Sequence, residues 1–420
     1  MEPYYGSSAS EDINNLGVSW ARLSPSELIW DPSSKKGNAF SSWTLADQKI
    51  DKAINDGLNV LIPPLSTLKT PNNWSEYEKF LGEFVDRYKN RVKYFEVGNE
   101  MNGMWEPTVK GNYEEEIVEY LVRNYNVIKE HCPTCKVVFG ALSSKPLDYY
   151  SGCANKRMCM QNLYPLIKAH PEFKGQAFDV LDFHWYGNKN NYQYLDKSGK
   201  EYTFSELVND IKSDFVKYNI NAELWMIEAG TYSDQPEDVS FSLAHQTEKE
   251  QAIDLVKRYA YPLSLGVKKI FWTTLTEFWN YAGIPNGYFD NIGLVNNPMN
   301  TRDGLSHKKL SYYTYKKMVE VLDGSDWNNV QTIQESDGVY IYKFTKNGKP
   351  IWVAWNDNSQ SKAVSLDIGN IKSVQVTETV PKYESGKEVT DYGAAFNAES
   401  KTVQNRQITL TLNDVPVFVE

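Results

Sequence analysis

A chain of 420 residues with 41% hydrophobic and 23% charged residues is long enough to form one large folded core and a second, smaller one. Its net charge of −10 and sequence pI near 5.2 argue against nucleic acids and anionic membranes as partners, because both require a basic surface. No stretch approaches the ~18 uninterrupted apolar residues of a membrane span, and the N-terminus lacks the regions of a signal peptide. We expect a soluble monomer with a neutral ligand, and an export signal that was removed or never present.

Helices and apolar strands alternate along the first 320 residues. A helix is predicted to end at residue 15, and strands are predicted at 16–23, 59–64, 92–99, 136–141, 178–186, 222–228 and 269–274. Further helices are predicted at 42–56, 74–91, 113–131, 160–170, 204–218, 246–262 and 306–322. Strands that are apolar throughout are typical of a parallel sheet covered on both faces, and we predict an α/β fold of the (β/α)8 TIM-barrel type.

The predicted strands number seven, one fewer than a closed barrel needs. The missing strand should precede residue 8, where only the segment Pro3 to Gly6 is available. An open, doubly wound sheet is the competing architecture, but no GxGxxG loop follows any strand.

After Gly324 the hydrophobic pattern changes to an alternation with a period of two. Short alternating strands are predicted at 338–345, 350–355, 363–368, 374–379 and 407–412, with a turn signal at Asn347-Gly348. We predict a catalytic barrel over residues 1–325 and a small antiparallel β-sandwich over 326–420, packed rigidly because no long linker separates them.

The four cysteines form two local pairs, Cys132 with Cys135 and Cys153 with Cys159. The predicted topology puts these pairs at opposite ends of a strand, which disfavours a shared zinc site. Two short-range disulfides in a secreted, extracellular protein are the preferred interpretation. Free thiols in a cytosolic protein are the alternative.

Few polar residues fall at the carboxyl ends of the predicted strands, where parallel barrels place their chemistry. They are Arg22, Asn99, Glu100, His184, Tyr186 and Glu228, together with Trp272. Two carboxylates on rigid strand ends suit hydrolysis of a glycosidic bond. No metal-ligand cluster accompanies them, and we expect neither a metal nor a cofactor.

In that chemistry Glu100 or Glu228 acts as a general acid, while the other stays ionised and attacks the anomeric carbon. Arg22 and the Tyr186 hydroxyl would keep the attacking carboxylate ionised. A separation of about 5–5.5 Å between the carboxyl groups predicts retention of configuration, and about 6.5–9.5 Å predicts inversion.

The strand ends also resemble a known group of enzymes. Residues 95–100, Phe-Glu-Val-Gly-Asn-Glu, resemble the acid/base strand of the clan A glycoside hydrolases, and residues 225–230, Trp-Met-Ile-Glu-Ala-Gly, resemble their nucleophile strand. Residues 182–186 carry the His-x-Tyr motif that the clan has on strand six. Residues 293–295 and 311–316 resemble the segment that leads into the last helix of the clan's barrel. The resemblance covers about residues 10–325 and is nearest to the β-xylosidase and α-iduronidase-like families, which also carry a β-sandwich.

This resemblance implies that Glu100 is the acid/base, Glu228 the nucleophile, Asn99 a donor to the sugar 2-hydroxyl and Tyr186 a partner of the nucleophile. Gly98 departs from the bulky residue that is common before Asn-Glu in the clan.

Several of these residues also have a purely structural interpretation. Glu96 shares a strand face with Glu100 and could serve only as a partner of Arg22. Glu277 is an alternative carboxylate, and His184 could be a buried structural histidine or contact the sugar or Glu100. Trp272 is the expected floor of the sugar site, with Trp105, Trp185, Tyr232, Trp279 and Tyr281 forming either a stacking track or loop packing.

Taken together, these features predict a secreted, metal-independent retaining glycoside hydrolase that acts on a neutral β-linked polysaccharide and cleaves within the chain. An exo-acting β-glycosidase is the first alternative. A non-catalytic carbohydrate-binding protein on a degenerate hydrolase barrel is the second.

Overall fold

The structure is a computed structural model that describes residues 7–23, 43–62, 69–105, 107–109, 112–143, 160–195, 201–237 and 243–420. Seven parallel strands form one sheet in the order β1-β2-β3-β4-β5-β8-β9, and a separate hairpin, β6–β7, lies between β5 and β8 in the chain. The strands are β1 (Trp20–Arg22), β2 (Asn59–Ile62), β3 (Tyr94–Val97), β4 (Lys136–Leu142), β5 (Val180–Trp185), β6 (Gln193–Leu195), β7 (Glu201–Thr203), β8 (Glu223–Ala229) and β9 (Lys269–Trp272).

Helices connect these strands and cover the outside of the sheet. They are α1 (Ser7–Leu16), α2 (Trp43–Asn55), α3 (Trp74–Tyr88), α4 (Met101–Met104), α5 (Tyr113–His131), α6 (Met160–Ala169), α7 (Phe204–Lys217), α8 (Glu248–Ser264) and α9 (Leu310–Leu322). The predicted TIM-barrel architecture is confirmed as a nearly closed sheet of seven parallel strands, with every predicted helix present to within a few residues.

Local sequence signals explain where the helices begin. The Thr203 hydroxyl accepts a hydrogen bond from the backbone N–H of Glu206, whose carboxylate accepts one from the N–H of Thr203. Thr247 and Glu250 repeat this capping box at the start of α8. Each box satisfies backbone donors that a helix N-terminus otherwise leaves unpaired, so it fixes the residue at which the helix starts.

The expected eighth strand falls outside the described residues, because the description begins with α1 at Ser7. Strands β1 and β9 are the two ends of the described sheet and are not hydrogen-bonded to each other there. They approach through side chains: the rings of Trp20 and Phe271 lie 6.2 Å apart, and the Lys269 ammonium lies 4.1 Å from the Trp20 ring centre. The barrel is therefore nearly closed, with Glu100 after its third described strand and Glu228 in its sixth.

The residues after α9 form antiparallel sheets around their own apolar core. One sheet has the order β10-β11-β12-β17-β14-β15, and β13 pairs with β16. The strands are β10 (Gln331–Ser336), β11 (Val339–Lys346), β12 (Lys349–Asn356), β13 (Lys362–Asp367), β14 (Ser373–Glu378), β15 (Ala398–Thr402), β16 (Gln407–Leu412) and β17 (Val417–Val419). The predicted β-sandwich is confirmed, whereas its boundary at residue 326 stays a prediction.

Cys132 and Cys135 form a disulfide just after α5, as predicted, and Cys153 and Cys159 lie outside the described residues. In the described part of the chain, no helix has the length and apolar character needed to cross a membrane.

The sandwich packs on the barrel through polar contacts as well as apolar ones. Lys257 of α8 is fully buried and forms an ion pair with Asp357, at 2.5 Å, and a hydrogen bond with the Asn190 side chain, at 3.0 Å. The Glu248 carboxylate accepts hydrogen bonds from the backbone N–H groups of Leu310 and Gly386, at 2.9 and 2.8 Å. These contacts tie α8 to both α9 and the sandwich.

Replacing Lys257 with alanine is expected to lower the free energy of unfolding by about 3 kcal/mol, because it leaves the Asp357 carboxylate without its buried cation. Urea unfolding followed by tryptophan fluorescence measures the change. The matched control is Lys362→Ala, because Lys362 forms a 3.9 Å pair with Asp337 on the surface and its loss should leave stability unchanged. Equal stability of Lys257→Ala and the control would contradict the assigned role of the buried pair.

Candidate active site

The polar residues predicted at the strand ends meet at one edge of the parallel sheet. Arg22 ends β1, His184 lies near the end of β5, and Glu228 lies near the end of β8. Asn99 and Glu100 follow β3 by two and three residues. Parallel strands bring their carboxyl ends to the same edge, so residues far apart in sequence become neighbours.

The turn after β3 explains the glycine before Asn99. Gly98 has a φ of +79°, and a Cβ atom there would lie 2.2 Å from the Sδ atom of Met101. Glu100 also adopts a left-handed conformation, with a φ of 46°, immediately before α4 begins. A left-handed glutamate costs roughly 1–2 kcal/mol, a cost that is typical of residues held in place at functional sites.

Arg22 is the cation at the centre of the cluster. Its Nε and Nη2 atoms donate to the two carboxylate oxygens of Glu96, both at 2.7 Å, and Nη2 also donates to the Asn99 side-chain oxygen at 2.8 Å. Its Nη1 atom donates to Glu228 Oε1 at 2.5 Å. The predicted pairing of Glu96 with Arg22 is confirmed.

Glu228 is held as a carboxylate by several donors. The Tyr186 hydroxyl donates to its Oε2 atom at 2.6 Å, while Arg22 donates to its Oε1 atom. Burial alone would raise the pKa of Glu228, but the charges of His184 and Arg22 and the hydrogen bonds from Tyr186 and Arg22 outweigh it and lower the pKa. Burial and the adjacent Glu228 charge raise the pKa of Tyr186 well above 10, so its hydroxyl remains a donor.

His184 lies between the two glutamates. Its Nδ1 atom is 2.8 Å from Glu100 Oε1 and 3.2 Å from Glu228 Oε2, and its Nε2 atom is 3.1 Å from Asp182 Oδ2. Burial would lower the pKa of His184, but the charges of Glu228 and Asp182 and the hydrogen bond with Glu100 raise it well above 6.5. An imidazolium ring here can donate from Nδ1 to Glu100, while the Asp182 carboxyl group lies beside Nε2.

Asp182 is the residue in this cluster to which the sequence analysis assigned no role. Its side chain is fully buried, and its Oδ1 atom accepts a hydrogen bond from the backbone N–H of Ile227 at 2.9 Å. Burial raises the pKa of Asp182, and the charge of His184 offsets part of that shift. Its position two residues before His184, on the same face of β5, is the sequence signal that could have revealed it.

The two carboxyl groups are close enough for direct attack on a sugar. Oxygen atoms of Glu100 and Glu228 lie within 4.8 Å of each other, with one nitrogen of His184 within the same distance of both. This spacing is near the ~5–5.5 Å of retaining glycosidases and well below the ~6.5–9.5 Å of inverting ones.

The same three residues are the only set in the described part of the chain with the spacing of metal ligands. Arg22 already contacts Glu228, and the raised pKa of His184 favours a protonated ring. Both positive charges disfavour a metal cation at this point, so the cluster suits acid–base chemistry better.

The aromatic residues expected around the site divide into two groups. Trp272 is 0% exposed and packs against the helices, with its indole N–H donating to the Ile292 carbonyl at 3.2 Å. A ring without exposed surface cannot stack on a sugar, and this contradicts its expected role as the floor. Trp105, Trp185 and Tyr232 are also buried, while Trp279 and Tyr281 are exposed.

The alternative carboxylate Glu277 belongs to a different cluster. It forms an ion pair with Lys309 and accepts hydrogen bonds from Asn296 and Asn297, all in the long loop after β9. Both members of the pair are buried. Glu277 therefore stabilises the conformation of this loop. Glu228, and not Glu277, is the carboxylate that lies opposite Glu100.

Comparison with known proteins supports the architecture. No protein-family model matches the chain, and no curated protein sequence matches it. Among solved structures, a family 39 glycoside hydrolase from Bacteroides cellulosilyticus WH2 is similar with a TM-score of 0.67 and 15% identity, covering 98% of this chain and 76% of that one.

Two further solved structures have a TM-score of 0.56. A GH30 endoxylanase from Clostridium papyrosolvens C71 is 17% identical over 98% of this chain and 91% of that one. A family 44 xyloglucanase from Paenibacillus polymyxa is 12% identical over 97% of this chain and 93% of that one. At these identities the likeness shows a shared fold.

Replacing Asp182 with asparagine is expected to lower the pKa of His184, because it removes the anion beside Nε2. NMR titration of protein labelled at its five histidines measures this pKa directly. In the wild type the ring should stay protonated through neutral pH, and in the variant its titration should move to lower pH.

The matched control is Asp303→Asn, which removes the partner of the partly exposed His307 and should leave the His184 titration unchanged. If Asp182→Asn also leaves it unchanged, the glutamates alone keep the ring protonated, and the assigned role of Asp182 is wrong.

Proposed function

We propose that this protein is a retaining glycoside hydrolase of clan A that cleaves a neutral, β-linked glycan by double displacement. The observation that carries this proposal is the close approach of Glu100 and Glu228, with Glu228 held ionised by Arg22 and Tyr186. The resemblance of both strands to the clan A acid/base and nucleophile strands assigns the two roles. The solved structures with this fold include enzymes described as glycoside hydrolases.

In the first step Glu100 protonates the glycosidic oxygen while Glu228 attacks the anomeric carbon. The bond from that carbon to the leaving oxygen breaks, and an ester forms between the sugar and Glu228. The low pKa of Glu228 suits this role, because only the ionised carboxylate is a nucleophile.

In the second step Glu100, now ionised, takes a proton from water, and the water oxygen displaces Glu228 from the anomeric carbon. Negative charge thus moves from Glu228 to Glu100 and back during one turnover. The Nδ1 atom of His184 lies within 3.2 Å of both carboxylates, so it can stabilise the charge on either one without moving far.

Asn99 is oriented by Arg22 for a role in substrate binding. Its side-chain oxygen accepts a hydrogen bond from Arg22, which fixes the amide and leaves the NH2 group as its donor. We assign to this group a hydrogen bond to the sugar 2-hydroxyl, an interaction that strengthens in the transition state of this reaction.

The substrate that suits this site is an uncharged polysaccharide cleaved within the chain. Arg22, the cation at its centre, is already bound to Glu96 and Glu228, so it is not available as the partner of an acidic sugar. Neighbours with the fold include an endoxylanase and a xyloglucanase. The disulfide between Cys132 and Cys135 fits an oxidising compartment, and we place the protein outside the cell.

The experiment that tests this proposal is a screen of xylan, xyloglucan and mixed-linkage β-glucan, with NMR of the first sugar anomer released. We expect the first product to have the same anomeric configuration as the bond that was cleaved. We also expect shorter chains rather than single sugars as early products. Release of single sugars from chain ends would instead assign an exo-acting enzyme, and release of the opposite anomer would contradict the double displacement.

Two variants separate the roles of the glutamates. Glu228→Gln should lower kcat by roughly 10⁴-fold or more on every substrate and keep glycan binding. Glu100→Ala should lower kcat by about 10²–10⁴-fold on polysaccharide, yet it should lose much less in the first turnover of a dinitrophenyl glycoside, whose leaving group needs no proton. The same loss for Glu100→Ala on both substrates would contradict its role as the acid.

Removing the Tyr186 hydroxyl tests how Glu228 is kept ionised. Tyr186→Phe should raise the pKa of Glu228, so the acidic limb of the pH profile of kcat/KM should move to higher pH, because the ionised nucleophile then forms only at higher pH. Loss of a hydrogen bond to a charged group should also lower kcat/KM by about 10–100-fold.

The matched control is Tyr288→Phe, because the neighbouring Tyr288 hydroxyl donates to the Gly230 carbonyl and not to Glu228. The acidic limb of the pH profile of Tyr288→Phe should match that of the wild type. An unshifted limb in Tyr186→Phe would contradict the assigned role of the hydroxyl.

A further inference from the structure

The loop between β9 and α9 displays two large aromatic side chains at the surface. Trp279 is 57% exposed and Tyr281 is 45% exposed, and we call this pair the distal aromatic surface. Exposed aromatic residues next to each other on a folded loop are a common feature of binding surfaces. Asn280 lies between them and is also exposed.

A continuous series of ring contacts joins this surface to the catalytic cluster. The Tyr281 ring lies 4.8 Å from that of Phe289, and the Phe289 ring lies 5.3 Å from that of Tyr186. The Tyr186 hydroxyl in turn contacts Glu228. Through Tyr281, the distal aromatic surface therefore lies beside the catalytic cluster.

Buried polar contacts hold the loop in shape. The buried Asp290 carboxylate accepts hydrogen bonds from the backbone N–H groups of Asn280 and Tyr281, at 2.9 and 3.1 Å. The Asn300 amide donates to the backbone carbonyls of Phe278 and Asp290, both at 2.8 Å. A surface that is already ordered loses little entropy when a ligand binds.

The chemistry of the loop fits an uncharged ligand with both flat apolar faces and hydroxyl groups. Residues 278–289 include no charged side chain. Tryptophan and tyrosine rings provide flat apolar faces, and the Asn280 amide provides a donor and an acceptor beside them. Sugar units of a neutral glycan have this combination of faces and hydroxyls.

We propose that Trp279 and Tyr281 form a second sugar-binding subsite, which holds the same neutral glycan beyond the bond that is cleaved. This inference rests on the proposed function, and it makes the substrate a chain of several sugars rather than a single terminal unit. The subsite contributes binding energy without contacting the reacting atoms.

The test measures binding and turnover separately. Binding of xylan, xyloglucan and mixed-linkage β-glucan is measured by calorimetry in the inactive Glu228→Gln protein, with and without Trp279→Ala and Tyr281→Ala. Loss of one stacked ring should weaken binding of the recognised polysaccharide roughly tenfold. In the active protein, the same substitutions should raise KM on that polysaccharide and leave kcat on an aryl monoglycoside within about twofold.

Two controls separate stacking from folding. Trp279→Phe keeps an aromatic ring and should keep most of the binding. Ile333→Ala removes an apolar side chain of similar exposure, 47%, from β10 of the sandwich and should change nothing.

The outcomes distinguish this inference from the proposed function. If the wild type cleaves polysaccharide and the double variant Trp279→Ala/Tyr281→Ala binds it equally well, the subsite is wrong and the enzyme assignment stands. If polysaccharide binding requires Trp279 but no glycan is ever hydrolysed, the enzyme assignment is wrong and the sugar-binding surface stands. Wild-type dimers that Trp279→Ala converts to monomers would assign the surface to a second copy of the chain and overturn the subsite.

Discussion

The buried guanidinium of Arg22 holds together the polar cluster at the carboxyl-terminal edge of this barrel. Glu96 is fully buried, and Glu228 is largely buried. Two carboxylates in such surroundings cannot stay ionised at close range without a cation between them. Arg22 provides that cation, and its planar, fork-shaped donor set lets it bind both carboxylates and the Asn99 amide at once. A lysine carries its three N–H donors on one nitrogen and lacks this planar fork.

The rest of the cluster follows from the same balance of charge. Asp182 adds a further buried carboxyl group, and the raised pKa of His184 favours a cationic ring beside it. In the proposed reaction one negative charge is exchanged between Glu100 and Glu228, so the buried cations face the same total charge at each stage. Because the total charge stays constant, the surrounding charged and polar groups need to rearrange less in each step.

Sequence patterns were sufficient for seven strands of the barrel and their helices, since the strands are apolar throughout and the helices carry apolar residues at helical spacing. They were insufficient for β10 and β15, which lie at the two ends of the sandwich sheet with most of their side chains exposed, so no apolar alternation marks them. The meeting of Arg22, Glu100 and Glu228 was predictable because the carboxyl ends of parallel strands share one edge.

Trp272 shows where such reasoning fails. Side chains alternate along a strand, so its neighbour Phe271 faces the barrel interior while Trp272 faces the helices, and position at a strand end does not reveal which of two adjacent rings points inward. Asp182 was overlooked although it lies two residues before His184 on the same strand face. Its role depends on the charge of the His184 ring, which sequence alone does not show.

Glu248 has a consequence for the molecule as a whole. One carboxylate is shared by the start of α9 and the Ser385–Gly386 segment of the sandwich, while its own residue begins α8. Separating the two domains would remove the Ser385 and Gly386 donors from this carboxylate and leave it with only its partner in α9. We therefore regard barrel and sandwich as one cooperative melting unit, in which the small domain helps to set the temperature at which the large one loses its structure.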